Sequence, residues 1–434
     1  MRKRMAFFFP FFLSTMLICG CGASIGDGNH GGGVPTTITF TITGVTPTAV
    51  ATKIGSGPFT PATLSSGAVT ITIPSNETSF AVAYFCTAIL GPSGNAPSEI
   101  TEQDAFEATT LDGNSFSGAC LPGQSSSPPA TPLGQLTGSI DASAIPGVNY
   151  LVVSAPNVDF NFPFTNATSF GFATTTGTDR VLVLAYDDTF SPPAPSGSTT
   201  LAAAKNFDSQ AVPGALNGGS VVTLGLQDET TPVAITYSNL PSGFTIDSST
   251  ASFVTSADGA FIIASPATKQ YVALPKRATE SGDYYRIYMD AYSGNSDMTV
   301  IKNLTSAAPV TLTFPPSWIY AGPTPAAQPT FNAAYQGFSG GNGVSYGAAW
   351  NWWPINIGIQ YSATVTATAN YLNGATSVSM PDLSGLAGAL PSPVSGTSVN
   401  WTATITQTTY ESQPTSLANA TVTSVQNSGT YKVP

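Results

Sequence analysis

The strongest constraint on the fold is a short-range alternation of branched or aromatic residues with small polar ones, interrupted about every ten positions by Gly, Pro or Asn. Segments 37–43 (TITFTIT), 68–73 (AVTITI) and 363–369 (ATVTATA) show it clearly. Alternation with a period of two places apolar side chains on one face of a strand. The two best helical candidates, 98–108 and 200–207, are short and fit a strand or a loop equally well. The sequence therefore predicts an all-β chain.

Composition and length narrow the possibilities. The chain has 434 residues and a formal charge of −11, but only 8% of the residues are charged and 42% are hydrophobic. A disordered acidic chain would need more charge and fewer apolar residues, so a folded chain of about two to four domains is expected. The acidic balance leaves no basic surface to neutralise phosphates, which excludes nucleic-acid binding.

The N-terminus has the order of features expected of an export signal. Residues 2–4 (RKR) are basic, and the apolar stretch 5–18 is shorter than the ~20 residues that a membrane-spanning helix needs. The stretch ends in residues 18–21 (ICGC), which resemble the lipobox of bacterial lipoproteins. That resemblance implies that Cys21 is acylated and becomes the mature N-terminus, with Cys19 as the alternative.

The residues that follow indicate where the protein is held. Residues 22–24 (GAS) lack the aspartate that the lipoprotein resemblance associates with retention at the inner membrane. We therefore expect a lipid-anchored protein of the cell envelope, at the outer membrane in a host with two membranes. Residues 22–35 are rich in Gly, which predicts a flexible spacer that contains His30, the only histidine.

Export also bears on the remaining cysteines. Cys86 and Cys120 are an even pair in an oxidising compartment, so we predict a disulfide that closes a loop of about 34 residues. Two free buried cysteines are the alternative.

Boundaries along the chain follow from composition, with residues 121–135 (LPGQSSSPPATPLGQ) as the clearest linker. Residues 136–186 echo residues 40–84 at a spacing of about 100, which suits tandem β-sandwiches. The predicted segments are a signal peptide (1–20), a lipidated N-terminus with a flexible spacer (21–35), a β-sandwich with a disulfide (36–120), a linker (121–135), a β-sandwich (136–249), a β-region (250–316) and a Trp-containing C-terminal β-domain (317–434).

The sequence gives little support for a catalytic site. A Ser-His-Asp or Cys-His arrangement needs a rigidly held imidazole, and His30 lies in the spacer. Carboxylate pairs at Asp187 with Asp188, and at Glu280 with Asp283, have the residue types of a glycosidase but are better explained as turns.

The sequence evidence for a metal site or an anion site is equally weak. Residues 290–297 (DAYSGNSD) have oxygen ligands without the regular spacing of a calcium loop, so an Asx-rich hairpin turn is favoured. Lys276 and Arg277 are interpreted as a solvated turn. We expect no catalytic residue, no metal site and no cofactor.

The one motif with functional character is a tryptophan cluster. All five tryptophans lie after residue 317, and Trp350, Asn351, Trp352 and Trp353 are consecutive. Trp350 and Trp352 would share one face of a strand, where they either form a carbohydrate-stacking platform beside Asn351 or fill the sandwich core. Core packing is favoured, because Trp is common in sandwich cores and an apolar strand follows.

The opening strands, with Gly44 and Pro47 and later with Pro146 and Gly147, loosely resemble the transthyretin-like carboxypeptidase-regulatory modules of secreted β-sandwich proteins. The whole pattern resembles bacterial surface lipoproteins, a resemblance that implies no activity. The expected function is a non-enzymatic cell-envelope lipoprotein that acts as a surface-displayed structural or binding module. Its partners would be the membrane and either a glycan or an envelope protein. The alternative is a carbohydrate-binding protein or a carboxylate-dependent glycosidase.

The anchor can be tested directly. Cys21→Ser should abolish acylation, because the thioether needs the cysteine sulfur, whereas Cys19→Ser should retain it. Metabolic labelling with a radioactive fatty acid measures both variants. Label that persists in Cys21→Ser and is lost in Cys19→Ser would move the acylation site to Cys19.

Overall fold

The computed structural model describes residues 35–89, 98–120, 134–155, 158–163, 168–174, 178–187, 200–210, 221–255, 260–264, 269–332, 334–335, 337–338, 343–354, 358–410 and 417–434. Within these residues the fold is all-β, as predicted. The signal segment, Cys21, His30 and most of the predicted linker lie outside the described residues.

Repeat 1 is a seven-stranded β-sandwich. Its strands are β1 (Thr36–Thr43), β2 (Ala49–Ile54), β3 (Thr60–Pro61), β4 (Ala68–Ile73), β5 (Ser79–Ile89), β6 (Glu99–Thr109) and β7 (Ser115–Ala119). The first sheet has the order β4-β1-β7, with β1 antiparallel to β4 and parallel to β7. The second has the order β3-β2-β5-β6 and is antiparallel.

Repeat 2 has the same topology. Its strands are β8 (Gly134–Asp141), β9 (Tyr150–Ala155), β10 (Val158–Pro163), β11 (Thr168–Thr174), β12 (Thr178–Asp187), β13 (Thr200–Gln210) and β14 (Val221–Thr223). The sheet orders are β11-β8-β14 and β10-β9-β12-β13, and the first and seventh strands are again parallel.

Repeat 3 follows after seven residues. Its strands are β15 (Thr231–Ser238), β16 (Thr245–Val254), β17 (Ala260–Ala264), β18 (Gln270–Ala273), β19 (Tyr284–Ser293), β20 (Ser296–Leu304) and β21 (Val310–Thr313). One sheet has the order β18-β15-β21, and β17, β16, β19 and β20 are paired in that order in the other. The first and seventh strands, β15 and β21, are parallel.

Repeat 4 contains the first six strands of the same plan. They are β22 (Thr330–Asn332), β23 (Val344–Trp352), β24 (Ile359–Thr368), β25 (Ser377–Ser379), β26 (Ser398–Tyr410) and β27 (Ala420–Lys432). β22 pairs with β25, while β24, β23, β26 and β27 are neighbours in that order. A single turn of helix, α1 (Ala369–Leu372), follows β24.

The repeats have a regular spacing. Their first strands begin at residues 36, 134, 231 and 330, which are 98, 97 and 99 residues apart. Residues 80–84 and 181–186, at the ends of the two stretches that echo each other in the sequence, lie in β5 and β12, the fifth strands of their repeats. The predicted duplication is therefore confirmed and extends to four copies. The predicted domain boundaries, by contrast, stay predictions.

Contacts divide the chain into two compact units, and each unit combines distant stretches of sequence. Unit 1 comprises the described residues within 1–125, 320–406 and 428–434, and unit 2 those within 126–319 and 407–427. Inside unit 1, β6 pairs in parallel with β24, from Glu99 opposite Ile359 to Glu107 opposite Ala367. Because β5 pairs with its other edge, β6 is an interior strand of unit 1.

The core of repeat 1 lies between its two sheets and is largely aromatic. Phe106 lies 5.1 Å from Phe116 and 5.3 Å from Phe40, measured between ring centroids. Gly118 of β7 is required by this packing, because a Cβ there would collide with the Tyr84 side chain.

The predicted disulfide between Cys86 and Cys120 is confirmed. Cys86 lies on β5 and Cys120 directly follows β7, so the bond joins the two sheets of repeat 1. Both cysteines are buried in the core of that repeat.

Removing the disulfide should destabilise unit 1. The bond closes a loop with a sequence separation of 34, for which the chain-entropy model gives roughly 3–4 kcal/mol. We expect the Cys86→Ala/Cys120→Ala variant to lose about this much free energy of unfolding in urea denaturation. Reductant should reproduce the loss in the wild type and have no further effect on the variant. An unchanged unfolding transition in the reduced wild type would contradict the expectation.

Candidate functional site

A group of four carboxylates lies on β6, an interior strand of unit 1. This strand carries four carboxylates and one amide in eleven residues (EITEQDAFEAT). Most strand interiors avoid such residues, since buried charge is costly unless it is hydrogen-bonded. Sequence reasoning missed this group because the acids hide the alternation that marks other strands, so that residues 98–108 fit a helix, a strand or a loop.

Asp104 and Glu102 are on the inner face of repeat 1. In the register of β5 and β6, Asp104 lies opposite Tyr84 and Glu102 opposite Cys86. Asp104 is only 7% exposed. Burial raises its pKa well above the usual value, the negative charge of Glu102 adds to the rise, and a hydrogen bond with Thr364 opposes it.

The pKa of Tyr84 is also raised well above its usual value. Burial is the main cause, followed by the nearby charges of Asp104 and Glu102, and a backbone hydrogen bond with Ala119 opposes the rise. At neutral pH this phenol is therefore uncharged, which suits a side chain packed in the core.

These residues also form the one possible metal-ligand group in the described part of the chain. The carboxylate oxygens of Glu102 and Asp104 and the Sγ of Cys86 lie within 4.8 Å of one another. Cys86 is bonded to Cys120, so its sulfur is not a thiolate and does not complete a metal site. The group is better described as a buried polar patch beside the disulfide.

The outer face of β6 is joined to repeat 4 by side-chain hydrogen bonds. Tyr371 of α1 donates its hydroxyl to Glu107 Oε1 at 3.1 Å, and the backbone N–H of Leu390 donates to Gln103 Oε1 at 3.0 Å. Burial raises the pKa of Glu107, while the bond from Tyr371 and the charge of Lys53 oppose the rise. These bonds satisfy groups that would otherwise be costly to bury.

Asp112, in the turn after β6, accepts hydrogen bonds through both of its carboxylate oxygens. Its Oδ2 accepts from the N–H and the hydroxyl of Thr109 and from the hydroxyl of Thr368, at 2.7–2.8 Å. Its Oδ1 accepts from the amide of Asn370 at 2.7 Å. One carboxylate thus ties the β6–β7 turn to the start of α1, which is a structural role.

The tryptophan cluster is divided between the core and the surface. Trp350 and Trp352 are 2% and 4% exposed, and Trp353 is 43% exposed. Trp350 packs 5.8 Å from Phe331, and Trp352 packs 5.5 Å from Tyr361, between ring centroids. The structure therefore places both indoles of the suggested platform in the core of unit 1.

Asn351 is half-buried on the opposite side of β23. Its Oδ1 accepts a hydrogen bond from the amide of Asn400 at 3.2 Å. The structure does not bring its side chain together with the faces of Trp350 and Trp352.

The other sequence candidates form turns and ion pairs. Asp283 is buried, and its Oδ2 accepts from the N–H of Glu280 at 2.7 Å, which closes a turn before β19. The side chains of Asp187 and Asp188 lie outside the described part. Arg277 was expected only as part of a solvated turn. Its guanidinium also forms a 2.6 Å ion pair with the carboxylate of the fully buried Asp228.

Residues 290–297 form the hairpin between β19 and β20, with Gly294 at φ 63° in the turn. Asp290 and Asp297 lie on adjacent strands, and the pKa of Asp297 is raised by burial and by the charges of Asp290 and Asp247. Within the described residues, the hairpin reading fits better than a calcium loop.

Comparisons with known proteins add little. No protein-family model and no curated protein matches the chain. Among solved structures it is similar to a proposed adhesin of Bacteroides ovatus, with 10% identity over 38% of this chain and 74% of that chain and a TM-score of 0.15. It is also similar to the TIE protein of Bacillus anthracis, with 10% identity over 63% of this chain and 46% of that chain and a TM-score of 0.13.

Among the described residues, no helix is both long and apolar enough to cross a membrane.

Truncating the buried indoles should distinguish core packing from a carbohydrate-stacking platform. Trp350→Ala should cost about 3–5 kcal/mol of unfolding free energy, because it leaves a large cavity beside Phe331. Trp353→Ala, the matched control at an exposed position, should cost less than about 1 kcal/mol. Urea denaturation measures both. A Trp350→Ala protein that keeps its stability and loses binding to a polysaccharide would contradict core packing.

The buried acid predicts a pH dependence. The pKa of Asp104 is higher in the folded state than its ordinary value of 3.8. Between these two pKa values the folded chain therefore binds more protons than the unfolded chain. The contribution of this group to stability falls as the pH rises through that range. Asp104→Asn should therefore stabilise the protein at pH 8 and have the smallest effect near pH 3.

Glu102→Gln should shift the same dependence to lower pH, since it removes a charge that opposes ionisation of Asp104. Thermal unfolding across pH measures both variants. An Asp104→Asn protein that is destabilised equally at every pH would contradict the assignment.

Proposed function

We propose that the chain is a non-enzymatic lipoprotein of the bacterial cell envelope, whose tandem β-sandwich repeats act as a surface-displayed structural or binding module. We further propose that its sandwiches are related to transthyretin-like carboxypeptidase-regulatory modules. The protein is attached through acylated Cys21, at the outer membrane in a host with two membranes.

The observation that carries the proposal is the disulfide that joins the two sheets of repeat 1. Disulfides of this kind form and persist in oxidising compartments. Together with an N-terminal segment of export type, it supports a location outside the cytoplasm.

The repeat architecture supports a structural or binding role. Four copies of one sandwich plan at intervals of 97–99 residues are typical of proteins that extend or multiply a module. The sequence has few charges, so recognition by such a module would depend on shape, apolar contacts and backbone hydrogen bonds.

The surroundings of the carboxylates support a non-enzymatic role. Three of the described carboxylates accept hydrogen bonds from neighbouring side chains of unit 1: Asp112, Glu107 and Asp104. These partners support a role in holding strands together. The partners proposed for the exposed surface are an envelope protein or an extracellular glycan.

Localisation tests the proposal. Wild type expressed in a Gram-negative host should fractionate with the outer membrane, and its Cys86 and Cys120 should resist alkylation without reductant. Cys21→Ser should move to the soluble periplasmic or secreted fraction with the disulfide intact. Digestion of the wild type by protease added to intact cells would support surface display. Wild type in the cytoplasm, with both thiols alkylated, would contradict the proposal.

A further inference from the structure

Among the described residues, the four repeats differ in one strand position. In repeats 1, 2 and 3 the seventh strand lies parallel to the first: β7 beside β1, β14 beside β8 and β21 beside β15. In repeat 4 the first strand, β22, pairs with β25 on one side. On its other side no strand among the described residues pairs with it. This side of β22 is called the open edge.

The backbone of β22 is set up to accept a strand there. The N–H of Asn332 donates to the hydroxyl of Tyr320 at 3.2 Å and not to β25. In an antiparallel ladder both backbone groups of a residue face the same side, and successive residues alternate. The N–H and C=O of Thr330 and Asn332 therefore face the open edge, where only one side-chain hydroxyl is bonded to them among the described residues.

The apolar side of β22 is already built. Phe331 is 2% exposed and packs against Trp350 and Trp401, whereas Thr330 and Asn332 are exposed. An added strand would therefore extend a sheet whose inner face is packed. Exposed strand edges of this kind are templates for strand addition.

The seventh strands of the other repeats indicate what fits. Each has a buried apolar residue on the inner face: Phe116 in β7, Val222 in β14, and Val310 and Leu312 in β21. In β7 and β21 the neighbouring positions are Ser or Thr. The plan shared by three repeats thus specifies an extended, uncharged segment with apolar residues at alternate positions, lying parallel to β22.

We propose that the open edge of β22 binds an extended segment of a partner protein as a parallel seventh strand. Backbone hydrogen bonds from Thr330 and Asn332 would provide affinity, and alternating apolar side chains would provide selectivity. The inference rests on the proposed binding role and names the chemistry of its partner. After Lys302 only three residues are charged, Asp382, Glu411 and Lys432, so binding should depend little on salt.

A peptide with the sequence of residues 308–316 (APVTLTFPP) is the probe, because it contains the seventh strand of repeat 3. Fluorescence anisotropy of the labelled peptide with the full chain should show saturable binding. A peptide of the same composition with the alternation disrupted should not bind. Raising the salt from ~50 to ~500 mM should change the affinity by less than about twofold.

Two variants at one position isolate the backbone contact. Asn332→Pro removes the N–H at the open edge and should weaken binding about tenfold, the effect of about one hydrogen bond. Asn332→Ala removes the same side chain, keeps the N–H and should bind within about twofold of wild type. Tyr320→Phe removes the competing hydroxyl and should bind more tightly than wild type.

If Asn332→Pro impairs folding, amide hydrogen exchange of the wild type decides instead, since the peptide should slow exchange at Thr330 and Asn332. Absence of saturable binding, equal binding by Asn332→Pro in a folded protein, or unchanged exchange at both amides would overturn the proposal. Self-association that Asn332→Pro abolishes, without peptide binding, would overturn it in favour of a second copy. The experiment uses purified protein, so its failure leaves the result of the localisation test unaffected.

Discussion

The parallel pairing of β6 with β24 is the interaction on which unit 1 depends. It joins nine consecutive residue pairs, Glu99–Glu107 with Ile359–Ala367, across about 260 positions of sequence. Without it β6 would be the edge strand of repeat 1, and an exposed edge is prone to unwanted pairing. The entropy of closing so long a loop rises only with the logarithm of its length, so a ladder of this size and its packed side chains can offset it.

The polar groups around β6 follow from that pairing. Placing a strand with four carboxylates inside a sheet requires a partner for each buried group. Repeat 4 supplies several of them: Tyr371 to Glu107, Leu390 to Gln103, and Thr368 and Asn370 to Asp112. The acids therefore have a structural explanation, and binding is better sought at the open edge of β22.

Local patterns in the sequence predicted many of the strands and turns but not the long-range partners. Alternation identified the all-β class, cysteine counting identified the Cys86–Cys120 bond, and tryptophan statistics favoured burial of Trp350 and Trp352. The acids of β6 interrupt the alternation that identifies a strand. Their hydrogen-bond partners lie far away in sequence, so no local pattern predicts that these acids can be buried in a sheet. The parallel first and seventh strands of repeats 1 to 3, and the open edge of β22 among the described residues of repeat 4, are properties of pairing that the alternation of side chains does not encode.

Hydrogen exchange of the intact chain, resolved by residue, tests the central claim most directly. In an interior strand the N–H groups that face β5 and those that face β24 are both hydrogen-bonded. The amides of residues 100–107 should therefore all exchange slowly, with successive residues protected to a similar degree and only by global unfolding. Rapid exchange at every second amide, as in an edge strand, would contradict the pairing of β6 with β24.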